Sequence, residues 1–240
     1  LIVYQEYKAV NFLKNYIYSF IYLKSRVENE SILFYPDGAD YFIYCGDTLQ
    51  IITKEQIKEP YNFTLKKDIE YFIVRFKPFS FYFLKEDEDK FQQTLALVQQ
   101  MFKSTKTFPQ KKKLIELFII ELTNLSSIHN RVVDICNKVI QTKGDISTYA
   151  LAKSSGLNIR TLQRDFRKIT QLTPKEFINI IKFQNTITVL YGKINHFKIV
   201  KIDPYYDYSH FYKNFKKYLN VSPKEFKIGK NIYIKSIFDI

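Results

Sequence analysis

The chain contains no tryptophan, one methionine and only two cysteines, Cys45 and Cys136, in 240 residues. So few cysteines exclude a disulfide-stapled scaffold and a four-cysteine zinc site. They suit a reducing cytosol, and a cytoplasmic protein is expected. Glycine (6) and proline (7) are sparse, and none of the glycines builds a glycine-rich phosphate loop or a Walker-type lysine motif. No run approaches the ~18 consecutive apolar residues of a membrane span. The opening residues Leu1-Ile2-Val3-Tyr4-Gln5-Glu6 lack the basic-then-apolar order of a signal peptide. A membrane is not an expected partner.

Hydrophobic residues make up 46% of the chain, with 22 Phe and 19 Tyr, enough to bury a core. The formal net charge is +13. Abundant Lys, Ile, Phe, Tyr and Asn with scarce Gly also follow from an AT-rich coding bias, so the total alone says little. The distribution says more. Residues 1–126 carry 17 basic and 16 acidic side chains, whereas residues 127–240 carry 20 and 8. A coding bias loads both halves alike, but an anionic partner of the second half requires this asymmetry.

The first half reads as strands. Tyr16–Leu23, Tyr41–Tyr44 and Tyr71–Phe76 are aromatic and β-branched, and turn signals at Pro36-Asp37-Gly38 and Gly46-Asp47 separate them. From about residue 86 the period becomes helical, with Phe91, Leu95, Val98 and Phe102, then Leu114, Leu117, Phe118 and Leu122. A third helix is expected over Ile128–Thr142, with Gly144 as its C-cap. Strands followed by helices imply an α+β chain with two domains, 1–126 and 127–240. In the first, strands span about 1–84 and helices about 86–126.

The second half repeats itself. Residues 166–177 match residues 215–226 at a constant offset of 49. Each copy ends in a hydroxyl residue, Pro, Lys and Glu: Thr173-Pro174-Lys175-Glu176 and Ser222-Pro223-Lys224-Glu225. That order starts a helix, because the hydroxyl caps orphan N–H groups, Pro fits the first turn and Glu closes a capping box. Upstream, Ser147 caps a short helix through Ser154, with Tyr149, Leu151 and Ala152 expected to be partly buried. Gly156 makes a tight turn, and Asn158 caps a helix running to about Thr170.

On that helix Ile159, Leu162, Phe166 and Ile169 form an apolar stripe, and Arg160, Gln163, Arg164 and Arg167 form a polar one. A short helix, a glycine turn and a second helix with an Arg/Gln face make a helix-turn-helix layout, whose second helix enters the major groove. There Arg pairs with guanine O6/N7 and Gln with adenine N6/N7. The second copy places Phe211, Phe215 and Tyr218 or Leu219 on the apolar stripe. Ser209, Tyr212, Lys213 and Lys216 fall on the positions of Arg160, Gln163, Arg164 and Arg167. This second face offers fewer bidentate donors and predicts weaker base selection. The first unit spans about 147–172, a linker helix about 174–191 and the second unit about 195–221.

Residues 151–167 and 207–216, the latter followed by Val221-Ser222-Pro223, resemble the two helix-turn-helix units of AraC/XylS-type transcription regulators in order and spacing. The resemblance covers roughly 128–228. It implies an all-α domain of two units joined by a long helix, reading successive major-groove segments. It implies base contacts from Arg160, Gln163 and Arg164, and from Tyr208, Ser209, Tyr212 and Lys213. Arg167 and Lys216 fit phosphate contacts. Tyr35–Tyr44 and Tyr71–Pro78 are similar, more weakly, to a sensor-like domain found before such units, a small β-barrel with trailing helices and no assigned ligand.

The implied partners are double-stranded DNA and RNA polymerase, with a small-molecule effector and a second copy of the chain as further partners. One departure bears on the second unit. Pro204, after Asp203, stands where the family has a turn glycine, and Val200 stands where a small Ala is usual. Proline cannot adopt the left-handed conformation of that glycine.

Enzymatic readings find little support. His129, His196 and His210 share no metal-ligand spacing with Cys or carboxylates, and Cys45 and Cys136 read as core residues. DNA-repair methyltransferases with this type of DNA-binding unit need more cysteines than the chain has. The acidic run Lys85–Lys90 reads as a solvated helix start rather than a cation site. The expectation is a sequence-specific transcription regulator, not an enzyme, needing neither cofactor nor metal. The competing reading is an interaction module with weak, non-specific DNA binding.

Overall fold

The computed structural model describes residues 2–46, 48–104, 107–122, 131–192, 208–223 and 225. It is α+β, with antiparallel sheets first and helices after. Strands β1 (Ile2–Lys8), β2 (Ile17–Ser25), β4 (Asp40–Cys45), β5 (Thr48–Ile52) and β7 (Glu70–Phe76) form one sheet in the order β1-β2-β7-β4-β5. Strands β3 (Glu30–Phe34) and β6 (Tyr61–Leu65) pair separately. A short 3-10 helix, Asn11–Asn15, links β1 to β2.

Both faces of the central strands β2, β7 and β4 are buried. Phe20, Phe42, Phe72, Val74 and Phe76 point into one hydrophobic cluster, while Ile21, Leu23, Tyr41, Ile43, Tyr71 and Ile73 point into another. Double burial is why the strands read as continuous apolar runs rather than as alternating ones. Helices α1 (Ser80–Leu84), α2 (Glu88–Ser104) and α3 (Phe108–Leu122) contribute to the first cluster. Tyr44 stacks on Phe102 with centroids 3.6 Å apart, and Phe42 meets Phe118 at 5.6 Å. The β3–β6 pair covers the other face, with Phe34 against Tyr41 at 4.7 Å.

Two expectations need correction in this half. The barrel resolves into two sheets, joined among the described residues by a single isolated bridge between Ser25 and Lys67. Residues 80–84, expected within the strand region, form α1 because Ser80 Oγ donates to the Tyr16 carbonyl while Phe81, Phe83 and Leu84 are buried. The acidic run begins α2 as expected, with Asp87 Oδ1 accepting the Lys90 N–H at 2.9 Å.

The turn after β3 and the first residue of β4 each carry a buried carboxylate. Asp37 accepts from Arg75 Nε at 2.8 Å, from the Tyr41 hydroxyl and from the Ala39 N–H. Asp40 accepts from Lys54 Nζ at 2.7 Å and from the Lys54 N–H at 2.9 Å. Burial pushes the Asp40 carboxyl up, and Lys54 opposes the shift.

The helical part holds α4 (Arg131–Gln141), α5 (Thr148–Ser154), α6 (Ile159–Thr170), α7 (Pro174–Gly192) and α8 (Tyr208–Leu219). Helix α4 matches the expected third helix from residue 131 onward, while the expected boundary near Ser126-Ser127 lies outside the described residues. Gly144 does follow α4 in the left-handed region, at φ 74°. Val132, Cys136, Phe166 and Phe177 continue the first cluster, and Phe183, Phe211 and Phe215 continue the second.

Candidate nucleic-acid interface

The first unit is assembled by local capping. Ser147 Oγ accepts the Ala150 N–H at 3.0 Å and starts α5. Leu157 N–H returns to the Ala152 carbonyl at 3.0 Å across Gly156, whose φ is 65°. Asn158 Oδ1 accepts the Thr161 N–H at 2.8 Å and starts α6. A left-handed Gln171, φ 60°, ends α6.

Leu162, Phe166 and Ile169 seat α6 in the core, and Phe166 meets Phe177 of α7 at 5.7 Å. Ile159 does not join them. It is 41% exposed, because the first turn of α6 overhangs the core. Tyr149, expected to be partly buried, is 67% exposed, since α5 inserts only Leu151 and Ala152. Arg160, Gln163, Arg164 and Arg167 are all exposed, so the expected polar stripe faces outward together. Arg164 Nε pairs with Asp165 at 2.9 Å while its side chain stays 74% exposed.

Both capping boxes are formed. Thr173 N–H donates to Glu176 at 2.7 Å, and Glu176 N–H returns to Thr173 Oγ1 at 3.2 Å. The second copy repeats this at 2.8 and 3.3 Å between Ser222 and Glu225. Burial pushes the Glu176 carboxyl up, but the Thr173 N–H and hydroxyl outweigh it, with help from Lys217 and Arg167, and hold it below the ordinary range. The Ser222 N–H lowers Glu225 in the same way.

In the second unit Phe211, Phe215, Tyr218 and Leu219 are all buried, so both candidates for the last apolar position are used. Phe215 meets Phe183 of α7 at 5.9 Å, and Tyr218 meets it at 4.7 Å. Ser209, Tyr212, Lys213 and Lys216 are exposed along α8. Tyr208 opens α8; its side chain, and the segment holding Val200, Asp203 and Pro204, lie outside the described residues. So do His129 and His196.

Sequence reasoning passed over Lys168, which is exposed one turn after Arg164 on the flank of α6. Its i+4 spacing from Arg164 was the available signal. Burial pushes the Cys136 thiol up, against the pull of Lys77, and keeps it protonated. No group of three or more His, Cys, Asp or Glu among the described residues is arranged to hold a metal ion. No helix among them is long and apolar enough to cross a membrane.

Residues 151–228 match the family model of a helix-turn-helix domain. The matched segment runs from α5 through α8 and takes in both capping boxes. The match supports an AraC-like DNA-binding domain and a DNA-binding transcription regulator. No curated protein and no solved structure matches the chain.

Proposed function

We propose that the chain is a sequence-specific transcription regulator that reads two adjacent major-groove segments, one with α6 and one with α8. The supporting observation is the repeat in three dimensions. Two helices at a 49-residue offset dock on α7 through equivalent phenylalanines, Phe166 and Phe215, and turn equivalent polar stripes outward. Helix α7, with 19 residues, is about 28 Å long, comparable to the ~34 Å of one DNA turn.

In this reading Arg160, Gln163 and Arg164 select bases, and Ser209, Tyr212 and Lys213, with Tyr208, make the weaker second set. Arg167 and Lys216 neutralise phosphates. Residues 127–240 form the DNA-binding domain, and residues 1–126 form a sensing or dimerising domain. RNA polymerase is the partner through which bound DNA is read out, and the chain itself performs no catalysis.

The test is in-vitro selection of bound DNA from a random library with the full chain at near-physiological salt. A recovered motif spanning about two turns supports two-unit reading. A one-turn motif leaves α6 reading alone. No motif, with binding that collapses as salt rises, replaces this function with a basic interaction module.

A further inference from the structure

A cleft of about 420 Å³ separates the N-terminal sheets from the first reading helix, a size within the ~300–1,000 Å³ of small-molecule sites. Lys54 and Glu55, after β5, line it from one side, and Tyr82 and Glu86 line it from α1 and the residue pair beyond. Lys168 and Ile169, in the last turn of α6, line it from the other part of the chain. A second cavity of about 240 Å³ shares Tyr82, Lys168 and Ile169 and extends the cleft along α6.

The charges divide by side. Lys54 is taken up by Asp40 at 2.7 Å, and Lys85 by Glu88 at 3.6 Å and the Phe91 ring at 5.0 Å. Glu55 and Glu86 then stand on the N-terminal side with no basic partner among the described residues. Lys168 stands on the α6 side with no acidic one. Phe81, Tyr82 and Ile169 add apolar surface.

A small dianion meets two glutamates here, and a polyamine meets Lys168. An apolar neutral molecule desolvates all three charges without compensating any of them. A molecule that carries both charges satisfies each side.

We propose that this cleft binds a small zwitterion of the free α-amino acid class, with its carboxylate on Lys168 and its ammonium group on Glu55 and Glu86. The occupant ties the N-terminal part to α6 one turn beyond Arg164, so binding energy bears directly on how that helix is seated. The inference rests on the cleft alone and not on DNA reading, so its test contains no DNA.

The full chain is unfolded thermally in the presence of each free L-amino acid in turn. Every compound that binds is then repeated as its N-acetyl and its amide form, which remove one charge each. At ten times Kd a true ligand raises Tm by about 3–5 °C. The expected result is a rise with at least one free amino acid and none with its blocked forms. Lys168→Gln and the Glu55→Gln/Glu86→Gln double variant each weaken that binding by about tenfold or more. Both variants melt at the parent temperature without ligand, because they alter exposed side chains. No rise with any free amino acid, equal rises with the blocked forms, or unchanged binding by Lys168→Gln each overturns the proposal.

Discussion

Gly144 offers the sharpest test of how the helical part is packed. It ends α4 at φ 74°, with its N–H on the Val139 carbonyl at 2.9 Å. A Cβ placed there meets Lys182 N at 2.6 Å and the Ile178 carbonyl oxygen at 2.7 Å. Both are backbone atoms of α7, so no side-chain rotation relieves the clash. Gly144→Ala therefore carries two costs. The left-handed conformation costs about 1 kcal/mol, and prying α4 from α7 costs about 1–3 kcal/mol more. A total near 3 kcal/mol lowers Tm by roughly 6–12 °C for a chain of this size. Gly156→Ala is the control. Its φ is 65° but no atom lies within 4 Å of the added methyl, so only the conformational cost applies. That cost, about 1 kcal/mol, lowers Tm by roughly 2–4 °C. Circular dichroism melts and urea titrations of both variants against the parent measure the difference. Equal losses at the two sites refute the close approach of α4 to α7.

Arg164→Ala is expected to narrow the preference for selected over random DNA by about 1–3 kcal/mol, measured by competition binding; an equal loss on both DNAs makes Arg164 a phosphate contact only. Asp37→Asn takes the carboxylate from the buried Arg75 guanidinium and is expected to cost about 3–5 kcal/mol in urea unfolding; a loss under about 1 kcal/mol contradicts a buried pair. Burial pushes the phenols of Tyr18, Tyr35 and Tyr44 up from the ordinary 10.0. Because the unfolded chain ionises them first, their contribution is intact below pH 10 and is lost as pH rises, at up to about 4 kcal/mol per pH unit for three. The chain has no tryptophan, so tyrosinate absorbance reads this directly, and a single titration step for all tyrosines without loss of helical signal refutes it.

Structure built by neighbours in sequence was legible from the residues. Ser147, Asn158 and Thr173 each cap a helix through a bond to the N–H three residues on, so their geometry is encoded in four-residue windows. The exposure of Arg160, Gln163, Arg164 and Arg167 followed from helical period alone. Ile159 and Tyr149 failed because period assigns a face but not where the neighbouring core ends. In the sheets, composition identified strands but not partners. The order β1-β2-β7-β4-β5 seats β7 between strands far from it in sequence, and double burial erases the alternation that marks register. Pro36-Asp37-Gly38 read as a plain turn, although Asp37 is a buried anchor for Arg75. A charged residue amid Tyr71–Phe76 was the available signal, since a buried cation requires a buried acceptor.

Helix α7 explains why the two parts of the chain share their cores. At about 100° per residue, Phe183, which meets Phe215 of α8, and Phe177, which meets Phe166 of α6, lie on different sides of α7. Ile180 and Gln184, one turn apart, fall between them on the helix surface. Those two residues face the N-terminal part: Gln184 Nε2 donates to the buried Tyr35 hydroxyl at 3.2 Å, and Ile180 closes on Gly38. The N-terminal part therefore bears on α7 along the strip between its contacts with α6 and α8. Packed interiors transmit displacement rather than absorb it. A shift of the Tyr35–Gly38 turn against α7 must then act on α6 and α8 together, whereas an occupant beside Lys168 acts on α6 alone. The first changes the spacing of α6 and α8, and the second changes the presentation of α6.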